Sequence, residues 1–178
     1  MQLILFCGLP GSGKTTISRR LCEVINAKFI DLDDFKKIEV DPTLVRSQID
    51  PPEIRWSYYQ KGLCEAMRLF TSGIQNIIID EVFHLAELRQ RIEDFSEQNG
   101  ISLLWVEVRC PYKVVEERLL AKPRVGHILS TEEALKMYGL FGEIFEPFAP
   151  DNSGHVLINN ESNDRIDVVL TLILQRMG

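Results

Sequence analysis

The sequence predicts an α/β fold in which a parallel β-sheet carries helices on its faces. Short, largely apolar runs such as Leu3 to Cys7 and Asn76 to Asp80 read as strands buried on both sides. The stretches between such runs repeat apolar residues at helical spacing. The two patterns alternate along the whole chain, as crossover connections between parallel strands require.

Taken in order, Leu3 to Cys7 is the first strand, and Ile17, Leu21, Val24 and Ile25 mark a helix after it. Lys28 to Asp33 reads as a short second strand, and Asp34 to Pro52 as irregular chain with turn signals at Asp41-Pro42 and Pro51-Pro52. A helix is expected from Glu53 to Phe70, then a strand from Asn76 to Asp80. Leu85, Leu88, Ile92 and Phe95 mark a helix that ends near Asn99-Gly100. Ile101 to Arg109 is a fourth strand, and Pro111 opens the next helix, which Pro123 stops. Ser130 and Glu133 form a capping box for a further helix. His155 to Asn159 is the fifth strand, and Ile166, Val169, Leu170, Ile173, Leu174 and Met177 stripe the last helix.

The 178 residues suit one domain with a substantial core. A net charge of −6 argues against non-specific nucleic-acid binding, which needs a basic surface. No apolar run reaches the roughly 18 residues of a membrane span, and the opening Met1 to Phe6 is short for a signal peptide. A cytoplasmic protein with no membrane partner is expected. Cys7, Cys22, Cys64 and Cys110 show no CxxC pairing and read as reduced core residues.

Gly8-Leu9-Pro10-Gly11-Ser12-Gly13-Lys14-Thr15-Thr16 fits the phosphate-loop pattern G-x-x-x-x-G-K-[ST], with a strand before it and a helix after it. Successive backbone N–H groups must turn inward to cradle phosphate oxygens, and a Cβ would obstruct that turn. The following helix adds its positive end, Lys14 a mobile charge, and Thr15 a hydroxyl ligand for Mg²⁺.

Asp31, Asp33 and Asp34 stand where the second strand ends, the end at which parallel sheets bind ligands. Strand alternation puts Asp31 and Asp33 on one face. Asp33 reads as a general base for an acceptor hydroxyl, with Asp31 near Mg²⁺ through water. The alternative is that Asp33 or Asp34 caps a helix beginning at Phe35. Asp80 follows an apolar strand and is placed to hold the Mg²⁺ shell opposite Thr15, although an aspartate there can also form a turn. Glu81 either orients a water or points the other way, and alternation supports the second.

Arg118 lies near the end of a helix and Arg124 follows Pro123 and precedes Gly126, and residues 120–131 suit a mobile lid whose arginines stabilise transferred charge. Arg118 can instead pair with Glu117 or Glu132 on a solvated surface. Residues 34–60 should face the acceptor, offering Lys36, Lys37, Arg46, Arg55 and Trp56 with Tyr58 and Tyr59. Helical packing explains the aromatics equally well. His84, His127 and His155 have no metal-ligand spacing and read as structural or exposed.

With these residues placed, "FCGLPGSGKTT", "FIDLDDF", "NIIIDEV" and "VEVRCPYKVVEERLLAKPR" together resemble small P-loop kinases of the chloramphenicol phosphotransferase-like kind and their broader AAA-type ATPase-kinase relatives. The first two also resemble shikimate kinase. The resemblance implies a three-layer P-loop nucleoside-triphosphate hydrolase fold with strand order 2-3-1-4-5. It implies ATP with Mg²⁺ as donor and the hydroxyl of a small molecule as acceptor, in a monomer or homodimer. By motif match, Lys14 and Thr15 take the nucleotide and metal positions, Asp33 the base, and Arg118 and Arg124 the lid arginines. The Asn159 to Ser162 turn would border the adenine. The residues after Asp33 do not match the acceptor pockets of the antibiotic or shikimate enzymes. Two other readings stay open: an ATPase or nucleotide-dependent regulatory module acting on a protein partner through Glu81, and a kinase of a macromolecule such as transfer RNA.

Overall fold

Five parallel strands make one sheet: β1 (Gln2–Cys7), β2 (Lys28–Asp31), β3 (Asn76–Asp80), β4 (Ser102–Arg109) and β5 (His155–Asn159), in the order β2-β3-β1-β4-β5. This is the order that the resemblance implies. The structure, a computed structural model, describes residues 1–39, 49–121, 129–162 and 166–177. β1 lies at the centre, and Leu3 to Cys7 are fully buried. That is why this run carries no polar side chain. In the register Phe6 stands beside Asp80, and Asp31 beside Asp80 from the other side. Two carboxylates therefore emerge together at the carboxyl edge of the sheet.

The helices are α1 (Lys14–Ile25), α2 (Leu32–Glu39), α3 (Pro52–Thr71), α4 (Ala86–Gln98), α5 (Tyr112–Ala121), α6 (Thr131–Ile144) and α7 (Ile166–Met177). Alternate residues of each strand feed opposite faces. On one face α1 and α7 press Ile17, Leu21 and Ile173 against Ile4, Phe6 and Val106. On the other, α3 and α4 press Tyr59, Leu63 and Ile92 against Leu5, Ile79 and Trp105. Each such fully buried apolar side chain contributes roughly 1.5–3 kcal/mol. α5 and α6 meet through Val115, Leu119 and Ala134. The Ser130 hydroxyl accepts from the Glu133 N–H and the Glu133 carboxylate from the Ser130 N–H, the capping box that the spacing predicts.

Three expectations need correcting. β2 ends at Asp31, and α2 occupies Leu32–Glu39, part of the stretch expected to be irregular. The Asp33 N–H donates to Asp31 Oδ1 at 3.0 Å. Asp31 thus caps the helix, and neither Asp33 nor Asp34 caps one starting at Phe35. Asp33 and Asp34 sit in the first turn, where the positive end of the helix favours acids. The cysteines are free thiols, but Cys64 is exposed and Cys22 half-buried, leaving Cys7 and Cys110 in the core. The period of α3 buries Leu63 and turns Cys64 outward. Among the described residues no helix is long and apolar enough to cross a membrane.

Candidate active site

The phosphate loop runs from the end of β1 into α1. Gly8 has φ +136°, and a Cβ there would lie 2.3 Å from the Val108 carbonyl oxygen of β4. Gly13 has φ +94°, and its Cβ would lie 2.3 Å from Asn160 Nδ2. Glycine is required at both by backbone angle and by space. Pro10 is buried, and Gly11 packs under Val115 and Leu119, so α5 covers one flank of the loop. Leu9 joins the small cluster around Met137 and Phe141. Thr16 is exposed in the first turn, its N–H bonded to the Gly13 carbonyl at 3.1 Å.

Lys14 is 9% exposed, and its ammonium donates to the Leu9 carbonyl at 3.2 Å across the loop. The Thr15 hydroxyl donates to Asp80 Oδ2 at 2.5 Å. The Ser12 hydroxyl is buried without a hydrogen-bond partner. A buried hydroxyl left open inside a glycine cradle fits an oxygen-rich anionic guest. Among the described residues no group of three or more His, Cys, Asp or Glu side chains is arranged to hold a metal alone. Thr15 and Asp80 supply two oxygens, a set that suits Mg²⁺, which takes further ligands from phosphates and water.

The carboxylates gather at the same edge. Burial pushes Asp33 up to about 7, reinforced by Glu81, Asp31 and Asp80 and opposed by Lys36. Burial also pushes Asp80 up to about 6, against the pull of Lys14 and the Thr15 hydroxyl. Asp31 caps α2 with one oxygen, while Arg19 Nη2 stands 4.0 Å from the other. Asp33 thus joins this group from the first turn of a helix and not from a strand. Asp80 faces Thr15 of α1, whereas Glu81 turns to α3, where Arg55 Nη1 lies 3.5 Å from its Oε1. Alternation beyond β3 explains the split.

On the α3 side a buried ion network fills the space. Lys36 Nζ is 2.7 Å and Arg55 Nη2 4.0 Å from Asp50 Oδ2, and the Arg55 side chain is 2% exposed. Its guanidinium stacks over Phe141 at 5.0 Å. Tyr58 and Tyr59 are buried and meet edge to face at 5.1 Å, so these aromatics pack the core. Trp56 packs against the same core, with Arg91 over its ring. Phe83 takes a left-handed backbone, φ +48°, between Tyr59 and Trp105. His84 follows it, buried, and burial with Arg55 and Arg89 nearby drives its pKa down to about 3.

Arg118 pairs with neither Glu117 nor Glu132. Its Nη1 donates to the Asn160 carbonyl at 3.0 Å and lies 3.3 Å from Cys110 Sγ. Arg46, the Lys37 side chain, Arg124 and His127 lie outside the described residues. A cleft of about 420 Å³ adjoins the phosphate loop at Gly8 and Leu9, under the end of α6, with Asn159 and Glu161 also on its wall. Its buried Glu107 is already engaged, with Arg109 Nε at 2.5 Å and His155 Nε2 at 3.0 Å. His155 also stacks on Phe148 at 4.0 Å, a structural setting. Sequence reasoning missed Asp50 as the hub for Lys36 and Arg55. It also missed the contact of Asn160 with Ser12, which spans 148 positions and leaves no local signal.

The family model described as AAA domain matches residues 3–138. A shikimate kinase from Corynebacterium jeikeium (strain K411) is 35% identical over 72 residues, which are 39% of this chain and 37% of that protein's length. A sugar kinase from Janibacter sp. HTCC2649 superposes with a TM-score of 0.71 at 19% identity, covering 97% of this chain and 94% of that one. A gluconokinase from Sinorhizobium meliloti 1021 gives 0.68 at 16% identity, covering 99% and 93%. The APS kinase from Mycobacterium tuberculosis, in complex with AMPPNP and APS, gives 0.62 at 19%, covering 99% and 96%. These structures share the fold.

Proposed function

This chain belongs to the AAA domain family and has the fold of small P-loop kinases, and from that premise we propose that it is an ATP-dependent phosphotransferase acting on a hydroxyl of a small molecule. One observation carries the reading: partial burial and its carboxylate neighbours raise half-buried Asp33 to about 7, in the same electrostatic cluster as Asp80, the partner of Thr15. A base poised near neutrality is what proton abstraction from an alcohol needs.

In this reading residues Gly8 to Thr16 hold the triphosphate, with Lys14 turning from Leu9 to the phosphates. Thr15 and Asp80 would hold Mg²⁺, with Asp31 near it through water. Bound there, the metal neutralises developing phosphate charge. Asp33 takes the hydroxyl proton as that oxygen bonds to the γ-phosphorus and the bond to the β-phosphate oxygen breaks, releasing ADP. Residues 34–60 face the acceptor. Residues 120–131 act as a lid of the single domain, and Arg118 and Arg124 spread the transferred charge. Similarity to kinases named for shikimate, sugar and gluconate supports a small acceptor and not a nucleic acid. The protein works in the cytoplasm as a monomer or homodimer.

The ATPase alternative has less support, because Glu81 is engaged by Arg55 at 3.5 Å while Asp80 makes the contact to Thr15. The test is to incubate the protein with ATP, Mg²⁺ and a panel of sugars, polyols, sugar acids and amino alcohols. Mass spectrometry should find a new phosphate monoester. Phosphate release with no phosphorylated product across the panel and a metabolite extract would refute the reading.

A further inference from the structure

Asn160, just after β5, is 7% exposed. Its main-chain N–H donates to the Arg109 carbonyl at 2.7 Å, and its own carbonyl accepts from Arg118 at 3.0 Å. Its side-chain Nδ2 donates to the Ser12 carbonyl at 2.8 Å. In a trans peptide the C=O and the following N–H point in opposite directions. Drawing the Ser12 oxygen outward to Asn160 therefore turns the Gly13 N–H to the other side, toward the concave face of the loop. The fit is close, because the missing Cβ of Gly13 leaves the space that Asn160 Nδ2 occupies.

We propose that Asn160 is a positioning residue for phosphate binding: it clamps the Ser12–Gly13 peptide so that the Gly13 N–H faces the anion. Through Arg118, the same residue ties the loop to the last turn of α5, next to the segment read above as the lid. This differs from the expectation that the Asn159 to Ser162 turn borders the adenine. It rests on the reading of Gly8 to Thr16 as a triphosphate site. Preorganised amides matter because they need no rearrangement when charge arrives.

The test is calorimetric titration of Mg-ADP and, separately, of inorganic tripolyphosphate into wild type, Asn160→Leu and Lys14→Ala. Asn160→Leu keeps the volume and adds no charge, but offers the Ser12 carbonyl no donor. Loss of one such bond should weaken both ligands about tenfold. The loss should be the same factor for each, since the clamp acts on phosphate and not on the base. If Asn160→Leu is too unstable to assay, Asn160→Ala, which also removes the donor without adding charge, carries the same comparison. Unchanged affinity for both ligands, or a loss confined to ADP, would overturn the clamp while Lys14→Ala still abolished binding and left the phosphate-loop reading intact. Wild type that bound neither ligand would remove the phosphate-loop reading itself, and the clamp with it.

Discussion

In the function proposed for this chain, the donor side of the site and its acceptor side are assembled from different materials. The phosphate loop is consecutive chain, Gly8 to Thr16, whose chemistry resides in backbone amides, one ammonium and one hydroxyl. The acceptor side draws Asp33 and Lys36 from α2, Arg55 from α3, Asp50 from just before it and Glu81 from just after β3. The loop buries a single cation, Lys14, against a backbone carbonyl, and the rest of its positive potential comes from oriented dipoles. The acceptor side buries ions in pairs and raises a carboxyl pKa, which costs stability unless each ion keeps its partner. The donor side should therefore fail functionally when altered, and the acceptor side should fail both functionally and structurally.

The largest effect should come from Lys14→Ala. Losing the only side-chain cation of the loop should lower turnover on the order of a thousandfold, with little change in melting temperature, because Lys14 bonds a loop carbonyl and joins no ion pair among those described. Steady-state assays with thermal melts check both halves. A large loss of stability would contradict the contrast between the two sides. Asp33→Asn should lower turnover by about a hundredfold or more, while ADP affinity stays within about twofold.

Arg55→Met should sit next. It leaves Glu81 and part of Asp50 uncompensated in a buried setting, so unfolding in urea should show a loss of about 3 kcal/mol. A loss below about 1 kcal/mol would mean that the network is solvated.

The smallest effect is a pH dependence. Asp33 is raised from an ordinary carboxyl value to about 7, so the folded state resists its ionisation. Its contribution to stability is complete below the unfolded pKa and is lost as pH rises through about 7. Asp33→Asn, without nucleotide or metal, should match wild type near pH 4 and be the more stable of the two at pH 8. Equal stability at pH 8 would place Asp33 in a wetter setting.

The same contrast explains what could be read from the chain. The strands and the loop were legible because periodicity and glycine placement are local. β3 is the stretch Asn76 to Asp80 that the apolar run marks, and the Ser130–Glu133 cap is present as spaced. α2 was missed because eight residues opening on Leu32-Asp33-Asp34 give too short a stripe to outweigh the acids, which favour turns and caps in isolation. The aromatic pair Tyr58-Tyr59 could be read either as acceptor contacts or as core, and only tertiary packing against Phe83 and Trp105 decides for core. The surface pairing of Arg118 with a helix glutamate could not be dismissed from sequence, because its observed partner, Asn160, lies 42 positions away.

The central claim is that a carboxyl on α2 takes a proton from an alcohol and that no carboxylate next to Asp80 activates water. It is tested most directly by following product formation from ATP, Mg²⁺ and the panel member that accepts phosphate, with Asp33→Asn and Glu81→Gln side by side. The account predicts that monoester formation collapses in Asp33→Asn and persists in Glu81→Gln. Phosphate release that needs no acceptor, survives Asp33→Asn and disappears in Glu81→Gln would contradict it.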